Sequence, residues 1–115
     1  MRLLAFARNP EDEVKRVILC ETSDGVYLFL SRSMEDKGSF ADEWYECTKD
    51  AQAACRSRFG IELEAWQEVP DPMPGCQHDW IKPVRVKGRD RGQPEWGVFE
   101  QLVDGHWVPV FDLSV

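Results

Sequence analysis

Short apolar runs separated by turn-forming residues dominate the chain, which is the pattern of a strand-rich domain. Residues 2–8 read as a first strand and residues 14–21 as a second, with a proline and acids between them at 9–13. Thr22-Ser23-Asp24-Gly25 is a hairpin turn, because Asp-Gly accepts the positive φ that tight turns need. Residues 26–30, Val-Tyr-Leu-Phe-Leu, are apolar on both faces, so this third strand is expected to be central and covered at least in part on both sides. The polar stretch 33–39 is a turn. From Phe40 two patterns compete. Phe40, Trp44, Cys47, Ala51, Ala54 and Cys55 fit helical spacing, whereas Trp44-Tyr45 favours a strand. Thr48 has the character of an N-cap, Asp50 falls in the first turn, Arg56 and Arg58 in the last, and Gly60 just past the end. The reading adopted is a fourth strand at 42–47 followed by a helix at about 48–59. Its stripe of Ala51, Ala54, Cys55 and Phe59 contains small residues, so the helix can lie close against a sheet.

Residues 61–69 read as a short extended segment. It leads into Pro70-Asp-Pro-Met-Pro-Gly-Cys-Gln-His-Asp-Trp-Ile-Lys-Pro83, which holds four of the seven prolines. Proline fixes φ and removes a donor, so the segment is neither helix nor central strand. It is too aromatic for a linker, and a stiff ordered loop is expected. Residues 80–89 read as a strand with Val84 and Val86 inward and Arg85, Lys87 and Arg89 outward. A glycine-containing loop follows at 88–94. Residues 96–103 and 106–111 form a hairpin around Asp104-Gly105 that pairs Leu102 with Trp107 and Val98 with Phe111. Pro109 puts the last strand at an edge. The expected architecture is α+β: one domain over 1–115, a mostly antiparallel sheet of six to seven short strands that can curl into a half-barrel, and one main helix packed on one face.

Charge narrows the function classes. The net charge is −7. A nucleic-acid or anionic-membrane binder needs a positive surface, so nucleic acid is disfavoured and a basic protein partner is favoured. Residues 11–50 carry eleven acids against five bases, while Lys82, Arg85, Lys87, Arg89 and Arg91 face only Asp90 in the segment 82–91. No apolar run approaches a membrane span, and the first apolar run is shorter than that of a signal peptide, so a cytoplasmic location is expected. Cys20, Cys47, Cys55 and Cys76 show no C-x-x-C spacing, which argues for free thiols and against a zinc knuckle. Five Trp and six Phe in 115 residues point to a core or a binding face built from large rings.

Two clusters are candidates for function. Cys76, His78 and Asp79 bring nucleophile, base and carboxylate residue types together on the proline-rich loop, with Trp80 as its anchor. In the structural reading His78 or Asp79 pins the loop. In the functional one Cys76 is a nucleophile or ligand and His78 a base. The second cluster is Glu43, Trp44 and Tyr45, aromatic residues amid the acids Glu35, Asp36, Asp42 and Glu46, which is the composition of an interface hot spot. No phosphate-binding glycine loop, H-E-x-x-H or G-x-S-x-G occurs, and neither a catalytic set nor a cofactor or metal site is assigned.

In size, acidity and aromatic content the chain is similar to small acidic bacterial proteins. It also loosely resembles immunity proteins that neutralise secreted toxins. The likeness is one of composition and carries over no residue. Taken with the charge and the missing signatures, it leads to the expectation of a non-enzymatic, adaptor- or immunity-like protein that binds another macromolecule. A small-ligand or thiol-dependent enzyme site on the 70–83 loop is the alternative. A homodimer through an edge strand is a further possibility.

Overall fold

The computed structural model describes residues 1–9 and 13–111. Five strands form one antiparallel sheet: β1 (Arg2–Phe6), β2 (Arg16–Thr22), β3 (Gly25–Ser31), β4 (Ala41–Tyr45) and β5 (Gln67–Val69), in the order β4-β3-β2-β1-β5. The helix α1 (Thr48–Phe59) follows β4 directly. A second antiparallel sheet comprises β6 (Val84–Val86), β7 (Phe99–Val103) and β8 (His106–Pro109). The α+β class and the single helix at 48–59 are as expected. There are eight described strands in place of six or seven, and they divide into two sheets instead of curling into one half-barrel. The first turn region, 9–13, lies largely outside the described residues.

Register explains the two faces of the large sheet. Leu3, Leu19 and Leu28 pair in one row, and Ala5, Val17 and Leu30 in the next. With Val26 they point toward α1 and form the main core with Ala51, Cys55, Phe59 and Ile61, all of them buried except Leu3, which is partly buried. Ala51 and Cys55 are small, and that is what lets the helix approach. Gly60 ends α1 in the left-handed conformation (φ 67°), and its N–H donates to the Arg56 carbonyl. Cys47, not Thr48, occupies the N-cap and makes no side-chain cap bond.

The opposite face carries Arg2, Cys20, Tyr27 and Trp44 in one row and Leu4, Ile18, Phe29 and Asp42 in the next. The 70–83 loop covers part of this face, and Ile18, Cys20, Cys76 and Trp80 are buried.

Several boundaries differ from expectation for local reasons. The two-residue turn between β2 and β3 is Ser23-Asp24. Gly25 already pairs with Thr22, at φ 130°. In the second hairpin Asp104 (φ 51°) and Gly105 (φ 80°) are the turn residues, as expected, and Leu102 pairs with Trp107. The anticipated strand at 80–89 shrinks to three residues. Pro83 has no N–H for a ladder, and Gly88 turns the chain at φ 81° into a 3₁₀ turn at Arg89–Arg91. A second 3₁₀ turn, Leu63–Ala65, interrupts the segment before β5. β7 begins only at Phe99, after Val98 has bonded back to Glu95 in a turn, and β8 ends at Pro109, so the Val98–Phe111 pair does not form as strand structure. β8 is an edge strand, consistent with Pro109.

Candidate functional site

Two arginines that alternation places among apolar neighbours organise the loop. Arg2 and Arg16 are each only 1% exposed. The Arg2 guanidinium donates to the carbonyls of Pro70 (2.8 Å), His78 (3.0 Å) and Trp80 (2.6 Å), and more loosely to Ile81 (3.5 Å). One side chain thus holds both limbs of the loop. Arg16 reaches Asp36 (3.3 Å), the Ser31 hydroxyl and the carbonyls of Lys37 and Asp79. Burial pulls both guanidinium pKa values down from their usual range, with Asp36 and Asp79 acting against it. Arginine keeps its charge in such settings, so its fixed fork of donors serves here as a scaffold. Asp36 accepts from the backbone N–H groups of Ile81 and Lys82, each at 2.8 Å. Asp79 accepts from the Ser39 N–H and hydroxyl, also at 2.8 Å each. Asp36 therefore belongs to the loop's frame and not to a solvated acidic cluster.

This frame fixes what the loop's own residues can do. The Cys76 thiol is 5% exposed, and burial raises its pKa despite Arg85 and Arg2. A nucleophilic cysteine needs the reverse. His78 is exposed, and its imidazole has no hydrogen-bond partner among the described residues. Asp79 pins the loop and the 3% exposed Trp80 anchors it. No group of three His, Cys, Asp or Glu among the described residues can hold a metal.

The aromatic candidates resolve differently. Because 41–45 is a strand, Trp44 and Tyr45 point to opposite faces. On the helix side, Glu43 accepts from the Tyr45 hydroxyl (3.0 Å) and pairs with Arg58 (2.6 Å). Burial is the main cause that raises the Tyr45 pKa, and Glu43 adds to it. These two residues are tied into the fold. Trp44, on the other side, is 50% exposed and fixed in place. Its indole N–H donates to the Asp24 carbonyl (3.1 Å), and its ring lies so close over Gly25 that a Cβ there would sit 2.4 Å from the indole nitrogen. Tyr27, its cross-strand neighbour, stacks with Phe29 at 6.2 Å. Phe29 and Asp42 line a groove of about 410 Å³ whose far wall is formed by Gly75, Gln77, His78, Asp79 and Arg89. The groove therefore joins Phe29 and Asp42 of the β3–β4 face to His78 and Asp79 of the loop, while Glu43, Trp44 and Tyr45 do not line it. Tyr27 and Phe29 were not singled out in the sequence, because an all-apolar strand reads as covered on both faces.

The basic strip is largely consumed internally. Arg85 pairs with Glu100 (2.7 Å) and Asp90 (3.7 Å) and lies 3.8 Å over the Trp107 ring, while Lys87 approaches Glu95 (3.9 Å). Arg89 sits on the 3₁₀ turn instead of on the strand. No protein-family model, curated protein or solved structure matches this chain. No described helix is long and apolar enough to cross a membrane.

Proposed function

We propose that this protein is a non-enzymatic binding protein, adaptor- or immunity-like, whose β3–β4 face receives a basic protein partner. The observation that carries the reading is Trp44: a half-exposed indole held rigid by Asp24 and Gly25, in line with the partly exposed Tyr27 and Phe29, with the exposed Asp42, which has no ion pair among the described residues, beside it. Rigid aromatic rings lose little entropy on binding and form the centres of hot spots. The net charge of −7, with Asp24, Asp42 and Glu46 exposed around the ring, steers a cationic partner toward it. The buried, undepressed Cys76 thiol supports binding over thiol chemistry. The reading places the protein in the cytoplasm, where its four unpaired cysteines remain reduced.

A pull-down from cells that make the protein, with Trp44→Ala and Asp42→Lys alongside wild type, tests this. The expected result is one stoichiometric basic partner, released by added salt, with each substitution weakening capture at least about tenfold. A partner retained equally by both variants would overturn the assignment of this face.

A further inference from the structure

The 70–83 loop frames a second, partly open space that shares Cys76 and Gln77 with the groove beside Phe29 and Asp42. A cavity of about 190 Å³ lies between its two limbs, walled by Pro70, Pro72 and Met73 on one side and Trp80, Ile81 and Pro83 on the other. Its width is set by a single buried group: Arg2 bonds the Pro70 carbonyl of the first limb and the His78 and Trp80 carbonyls of the second. The N-terminal amine holds Asp71 at 3.2 Å, and Asp36 holds the N–H groups of Ile81 and Lys82. Both limbs are therefore fixed before anything enters, and a preformed site avoids the ordering cost of binding.

The lining selects a ligand class. Its walls are apolar, and an apolar cavity of roughly 150 Å³ is known to accept benzene. The two charges on the wall, Asp71 and Lys82, oppose one another, so a net charge on the ligand gains nothing. Lys82 is drawn over the Trp80 ring at 5.2 Å, and Asp71 is engaged by the amine. Gln77 is the one uncharged polar side chain on the wall, and its carboxamide has no hydrogen bond among the described residues. A few placed polar groups in an apolar pocket orient a ligand. We propose that this cavity binds a free, neutral small molecule consisting of one apolar ring system, of phenol to indole size, with a single hydrogen-bonding group directed at Gln77. The site adjoins the β3–β4 groove at Cys76 and Gln77 but is not lined by Trp44.

The test is a titration of the ¹⁵N-labelled protein with phenol, with indole and with benzene, followed by amide and indole N–H resonances. Saturable shifts at Cys76, Gln77 and the Trp80 indole N–H are expected. Met73→Trp, at an exposed position that places a ring in the cavity, should weaken phenol binding at least about tenfold. Gln77→Ala should cost phenol several-fold while leaving benzene unchanged. Trp44→Ala should bind all three as wild type does. Shifts that never saturate, shifts centred on Trp44, or binding unaffected by both Met73→Trp and Gln77→Ala would overturn the proposal.

Discussion

At the scale of single residues, Gly25 and Trp44 act as a pair. Gly25 sits at φ 130°, a conformation that side chains rarely adopt, and the space where a Cβ would project is filled by the indole. Gly25→Ala is expected to destabilise the protein by about 1–3 kcal/mol and to displace Trp44, checked by urea denaturation and by the Trp44 indole N–H shift. The turn itself was legible from Asp24-Gly25. Its register was not, because Thr22 closes the turn one residue earlier, its hydroxyl donating to the Gly25 carbonyl and accepting from the Asp24 N–H. The roles of Arg2 and Arg16 were also hidden. Each falls in the same alternation phase as Leu4, or Ile18 and Cys20, which is the signal that they point at a covered face, but nothing local says what covers it. Arg2 meets the loop 68 to 79 residues further along the chain, and Arg16 meets it 63 residues on, at Asp79.

At the scale of elements, side chains from β1, β2 and the 33–39 turn satisfy backbone groups of the 70–83 loop and pin it to the large sheet. Arg2→Met would strand the carbonyls of Pro70, His78 and Trp80 beneath the loop. A loss of about 3–5 kcal/mol is expected from chemical denaturation, since breaking a buried charged network leaves unsatisfied groups behind. Composition pointed to a stiff loop pinned by His78 or Asp79 and anchored by Trp80, and the structure gives the pinning to Asp79. The same composition made Cys76-Gln-His78 look like reactive chemistry, whereas burial sets the thiol apart from the exposed imidazole. The segment 40–47 was balanced between helix and strand. Tertiary pairing with β3 decided it, and the strand's alternation then separated Trp44 from Glu43 and Tyr45.

At the scale of the whole molecule, the described helix, two sheets and pinned loop leave the aromatic, acid-edged β3–β4 face exposed at Trp44. The core is sensitive to high pH. Burial pushes the Cys55 thiol up to about 12 and raises those of Cys20 and Cys76, and burial likewise raises the Tyr45 phenol. The unfolded chain ionises these groups at their ordinary values while the folded chain keeps them protonated. For Cys55 the contribution is therefore complete below about pH 9 and is lost as pH rises toward 12, at up to about 1.4 kcal/mol per pH unit, and the other three groups act in the same direction. Denaturation midpoints measured across that window should fall steadily, and a Cys55→Ala variant should fall less steeply. The central claim, that the β3–β4 face is where a basic partner binds, is tested most directly by site-specific photocrosslinking in cells that make the protein. One photoreactive residue is placed at Asp42 and, in a separate variant, one at Leu63, which is exposed beyond the far end of α1. The account predicts a single discrete adduct with a basic protein from position 42 and none from position 63. The same adduct from both positions, or one from position 63 alone, would contradict it.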